Sequence, residues 1–141
     1  MTMHYRKFRT GFAGVLIALS MFGCSGPLWQ FPGGALSGPE QQLNSAQIPA
    51  EGGVMQLETN PDEPYSVNVG YVVIGGSAYI DPADSRRWYQ NIKSNALIRV
   101  RFNDSDVVYT AVAVTEVDPE VLSRFEADRH VLRIAPRQVS Q

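Results

Sequence analysis

The chain has 141 residues, with 12 Lys and Arg against 14 Asp and Glu, a formal charge of −2, 44% hydrophobic residues and one cysteine. That charge balance supplies no cationic tract for a phosphate backbone and argues against nucleic acid as a partner. A single cysteine excludes an internal disulfide and a thiolate metal site, and the length allows one small core.

At the N-terminus, Arg6, Lys7 and Arg9 precede the apolar run GFAGVLIALSMF, which ends at Cys24. The run is a signal-type segment, well short of the roughly 20 residues that span a bilayer. SMFGC resembles the lipobox of bacterial lipoproteins: the small Gly23 precedes the cysteine, and Met21 stands where leucine is usual. The resemblance implies removal of residues 1–23 as a lipoprotein signal peptide and acylation of Cys24, palmitate included, so that the lipid bilayer becomes a partner. By the same resemblance, to lipoprotein sorting in two-membrane bacteria, Ser25 and not aspartate after the cysteine implies an outer-membrane anchor facing the periplasm. The competing reading is a secretory or uncleaved signal with a free thiol. Removing residues 1–23 takes three basic residues and no acidic ones, leaving nine against fourteen and a net charge of −5.

Residues 24–53 are rich in Pro, Gly, Ser and Gln and show no sustained period, so they read as a lipidated cysteine followed by a flexible tether. Trp29 and Phe31 have two readings there, an arm packed on the domain or a contact with the membrane interface.

Residues 54–141 form the expected domain. VMQLET alternates as a first strand, and VNVGYVVIGGSAYI is two strands joined at Gly75-Gly76, which supply the positive φ values of a two-residue turn. In SRRWYQNIKSNALIRVRF, Trp88 and Ile92 share a helix face before Ile98, Val100 and Phe102 alternate as a half-buried strand. NDSD turns the chain into VVYTAVAVT. There Val108, Val112 and Val114 alternate with Tyr109, Ala111 and Ala113, so both faces are expected to be covered. Asp118 caps a second short helix starting at Pro119, with Leu122 and Phe125 at helical spacing, and HVLRIA is the last strand. The expected fold is mainly β with two short helices, a six-stranded antiparallel α+β barrel, because closure removes exposed edges.

The order of strand, Gly-Gly hairpin, WYQNIKSN helix, strand pair and DPEVLSRF resembles the split-barrel flavoproteins related to pyridoxamine phosphate oxidase, and more narrowly the deazaflavin-dependent nitroreductases. The likeness covers about residues 53–127 and rests on W-Y-x-N, here Trp88, Tyr89 and Asn91. It implies a cleft with Arg86, Arg87 and Trp88 at its mouth, and a basic, glycine-containing loop after the first strand to hold the cofactor's phosphate. That loop reads TNPDEPYS. Asp62 and Glu63 oppose an anion, and Pro61 and Pro64 remove backbone donors. No cofactor is therefore expected, with FMN or deazaflavin as the alternative.

Other chemistry is thin. Asn103, Asp104, Ser105 and Asp106 read as an Asx-rich turn lacking a calcium loop's downstream acid, and no metal site is expected. His130 shares a strand face with Leu132 and Ile134 as a core or rim histidine. Arg86 and Arg87 read as a solvated helix start paired with Asp81 or Asp84, or as an anion site. The ligand-binding candidates are Arg86, Arg87, Trp88, Tyr89 and Asn91, and no catalytic residue is assigned. The expected protein is a lipid-anchored envelope protein with a binding or structural barrel and an envelope protein as a further partner. The alternative is a flavin- or deazaflavin-dependent oxidoreductase.

Overall fold

A computed structural model describes residues 26–27, 31–103 and 105–138. Residues 1–23, Cys24, Trp29 and Asp104 lie outside the described residues. The strands are β1 (Glu40–Gln42), β2 (Gly53–Thr59), β3 (Tyr65–Ile74), β4 (Ser77–Ile80), β5 (Leu97–Phe102), β6 (Val108–Val114) and β7 (Leu132–Pro136), with helices α1 (Arg87–Ser94) and α2 (Pro119–Leu122). The sheet runs β6-β5-β2-β3-β4-β7, and β7 pairs back onto β6, which closes a six-stranded antiparallel barrel. The small split-barrel-like α+β domain expected from the sequence is the fold observed.

The alternation that suggests the strands also fills the barrel. Met55 faces Phe102 and Leu57 faces Val100 in register, and all four side chains are buried inside. Gly75 and Gly76 take φ values of 58° and 76°, the two left-handed positions that a tight β3–β4 turn needs. On α1, Trp88, Tyr89 and Ile92 are buried against the barrel, while Gln90 and Lys93 are exposed. Tyr109, Ala111 and Ala113 of β6 face the core, and Val108 is buried at the outer edge, where its N–H donates to the Pro39 carbonyl.

Residues 31–53 are not a tether. Gly33 exchanges two backbone hydrogen bonds with Ser66 on the edge of β3, at 2.8 and 2.9 Å. The chain then crosses the outer face of β2 and β5 and adds β1 in parallel to β6. β1 and β7 share one edge of β6, β1 at Val108–Thr110 and β7 at Ala111–Val114. The crossing is held by a polar row that the β2–β5 register sets up, with Glu58 opposite Arg99 and Gln56 opposite Arg101. Glu58 is 4% exposed; it accepts from the Leu36 N–H at 2.6 Å and from Arg99 at 2.8 and 3.1 Å. Arg99 also pairs with Glu40 at 2.8 Å, and Arg101 donates to Gln56 and to the Ser37 carbonyl. The composition misleads because this strap is tied by partners distant in sequence, not by a periodic apolar face of its own.

Two further expectations are corrected. The second helix is only four residues long. Asp118 caps it through Glu120 N–H, but Leu122 is exposed and the segment buries no residue. His130 precedes the last strand, which starts at Leu132. Its ring stacks on Tyr89 at 4.8 Å between centroids, and its Nε2 lies 2.7 Å from Asp84 Oδ1. Among the described residues every strand and every buried hydrophobic core residue lies between Leu36 and Pro136, so a fragment of residues 26–141 carries that core.

Candidate ligand-binding groove

On β3, only Val72–Ile74 pair with β4, so the edge from Tyr65 to Tyr71 has no β4 partner. The chain leaving β4 swings away from that edge and returns as α1, opening a groove of about 650 Å³. Tyr65, Val67, Val69 and Gly70 line one side, Ile80 to Ala83, Asp81 among them, and Ser85 to Trp88 much of the other, with Arg129 and the strap residues Phe31 and Pro32 at the rim. The volume suits a small organic ligand.

Three arginines line the groove. Arg87 lies over the Tyr65 ring, 4.7 Å from its centroid, an arrangement that holds a cation in place without neutralising it. Arg86 is the N-cap residue of α1 and leaves that helix end without a side-chain cap. Among the described residues neither Arg86 nor Arg87 forms an ion pair, because Asp84 engages His130 instead. The expected pairing with Asp81 or Asp84 is thus corrected: the Pro82–Ser85 turn carries Asp84 towards His130. Arg129 donates to the Asp81 carbonyl at 3.3 Å and sits 3.7 Å from Glu126. Two unpaired guanidiniums beside an aromatic and aliphatic wall suit a flat or tetrahedral anion with an apolar body.

The five candidates separate into two groups. Arg86, Arg87 and Trp88 line the groove. Tyr89 does not line it and is buried between His130 and Lys93, whose ammonium is 5.1 Å from its ring centroid. Asn91 does not line it either; it donates to Thr59 Oγ1 at 3.0 Å, and that hydroxyl donates to the Tyr65 carbonyl, tying α1 to the β2–β3 hairpin. Tyr65 and Arg129 went unread. Tyr65 falls inside TNPDEPYS, taken from sequence as a loop although β3 starts there, and Arg129 lies 42 positions from Arg87, with no local pattern linking them. None of Pro61, Asp62, Glu63 and Pro64 lines the groove. They form the tight, largely exposed turn closed by Glu63 N–H to the Asn60 carbonyl.

No protein-family model and no curated protein matches the chain. Among solved structures, the chain is similar to a Listeria innocua crystal structure provisionally described as a pyridoxamine 5′-phosphate oxidase, at TM-score 0.50 and 18% identity. The match covers 60% of this chain and 84% of that one. At that identity the likeness establishes the split-barrel fold and nothing of the chemistry.

Proposed function

We propose that the chain is a lipid-anchored envelope protein, held in the outer membrane through Cys24 and facing the periplasm, whose barrel binds an anionic ligand in the groove and carries no flavin. The observation behind this reading is the pair of guanidiniums, Arg86 and Arg87, lining a groove with neither in an ion pair among the described residues, although Asp81 lines it too. Both side chains are exposed, so water serves them in the free protein, and an anionic ligand would gain forked hydrogen bonds from guanidiniums that no carboxylate already holds. An envelope protein is a further partner on this reading.

The second reading is a flavin- or deazaflavin-dependent oxidoreductase, favoured by the fold and by the same arginines. The residues fit it poorly. The β2–β3 turn, where the likeness would place a basic phosphate loop, carries Asp62 and Glu63 and stays outside the groove, so Arg86, Arg87 and Arg129 are the lining cations left to fix a phosphate tail, with Asp81 beside them.

Thermal shift on residues 26–141 separates the two. Inorganic phosphate should raise the melting temperature, and Arg86→Gln with Arg87→Gln should abolish the effect. FMN should stabilise no more than phosphate does and keep its free absorption spectrum. Co-purified flavin or a perturbed ring spectrum would establish the oxidoreductase instead. Anchoring is tested separately: Cys24→Ala should leave the membrane fraction or retain its signal, and unchanged attachment with normal processing contradicts lipidation.

A further inference from the structure

The chain enters the barrel beside the groove. A Cβ placed on Gly33 would lie 2.4 Å from the Gly26 carbonyl carbon, so these two stretches of backbone touch. Gly33 is bonded to Ser66, whose neighbours Tyr65 and Val67 line the groove, and Phe31 and Pro32 form part of its rim. Cys24 precedes Gly26 by two residues, a chain reach of about 7 Å. Acylation of Cys24 would therefore hold this side of the barrel, with its groove, close to the bilayer surface. Phe31 is 75% exposed, the most exposed large hydrophobic residue described, and it stands on that same side.

We infer that the groove takes the phosphate headgroup of an anionic phospholipid from the membrane that holds Cys24. This rests on the anion-binding and anchoring readings above and names the ligand class. Arg86 and Arg87 supply forked donors for the phosphate oxygens, and Arg87 is steadied by the Tyr65 ring. Val67, Val69, Ile80 and Trp88 give an apolar wall for the glycerol and the first methylenes of the lipid. Phe31, costly to leave in water, gains a place in the interfacial layer. A soluble phosphate ester satisfies the arginines but leaves Phe31 without a role. The rest of the chain is acidic and repels an anionic surface, so attraction has to come from this local site.

The test is co-sedimentation of residues 26–141, which lack the anchor, with vesicles of phosphatidylcholine alone or mixed with phosphatidylglycerol. The fragment should partition onto the mixed vesicles and not onto the neutral ones. A basic side chain near an anionic surface is worth about fivefold in partition, so Arg86→Gln with Arg87→Gln should lose about 30-fold. Arg124→Gln with Arg137→Gln, an equal loss of charge at exposed positions outside the groove, should lose far less. Phe31→Ser should weaken vesicle binding while leaving the melting response to inorganic phosphate intact. A phosphate response that depends on Arg86 and Arg87, without vesicle binding, overturns the lipid inference and leaves the anion-binding reading standing. Failure of both overturns both, and equal losses in the two double variants overturn the groove as the site.

Discussion

Removing the Glu58 carboxylate should detach the strap without opening the barrel. In Glu58→Ala, Leu36 N–H loses a 2.6 Å acceptor and Arg99 loses its contacts at 2.8 and 3.1 Å, all on a side chain that is 4% exposed. Breaking a buried ion pair by deleting one partner costs about 3–5 kcal/mol. Arg99 keeps Glu40, and its side chain is 25% exposed, so solvent takes up part of the lost interaction. The lower end, about 3 kcal/mol, is therefore expected, a large share of the 5–15 kcal/mol typical of a domain. For a domain of this size that is a fall of about 10–20 °C in melting temperature. Urea unfolding of residues 26–141 measures the loss. Limited proteolysis should show new cleavage between Gly33 and Gln42 while the β2–β7 remnant survives. A loss below about 1 kcal/mol with the strap still protected would refute the claim that Glu58 holds it.

Trp88→Ala should cost about 3–5 kcal/mol in the same unfolding assay, since the ring is 9% exposed and belongs to the core as well as to the groove wall; an unchanged melting temperature would make it a ligand platform only. Asn91→Ala should lose about 1 kcal/mol through the Thr59 bond and leave phosphate binding unchanged, so altered binding would return Asn91 to the site. Burial raises the pKa of the Tyr71 phenol above its ordinary 10.0, against a smaller opposite effect of its hydrogen bond with Asn103. The phenolate is thus disfavoured in the fold, and stability present below pH 10 falls as pH rises through that raised value. Tyr71→Phe should flatten the alkaline decline in melting temperature, and an unaltered decline would point to other groups.

The parts of the fold legible in the sequence are those whose signal is local. Adjacent glycines fix the β3–β4 turn, alternation from Ile98 to Phe102 fixes one face of β5, and four-residue spacing puts Trp88 and Ile92 on the buried side of α1. The strap was hidden because its order comes from elsewhere: Leu36 bonds to Glu58, Glu40 to Arg99, and the Ser37 carbonyl accepts from Arg101. A buried glutamate on the outer face of β2 looks, in sequence, like any solvated strand residue. The groove was legible by half. Arg86, Arg87 and Trp88 stood together in the chain, whereas Tyr65 and Arg129 reach it only through barrel closure. Tyr89 and Asn91 belong to the same short motif, but Tyr89 packs between His130 and Lys93 and Asn91 bonds to Thr59, contacts with distant residues that the motif does not announce. The acidic turn at Asp62 and Glu63 lies apart from the groove, and no local pattern in the sequence announces that separation.

The central claim, an anion seated against Arg86 and Arg87, is tested most directly by nuclear magnetic resonance of ¹⁵N-labelled residues 26–141 titrated with inorganic phosphate. The account predicts saturable shifts of the Trp88 indole N–H and of the Arg86 and Arg87 amides, with the Gly75 and Gly76 amides at the far hairpin unmoved. No saturable shift at Arg86, Arg87 and Trp88, or equal shifts at the hairpin glycines, would contradict it.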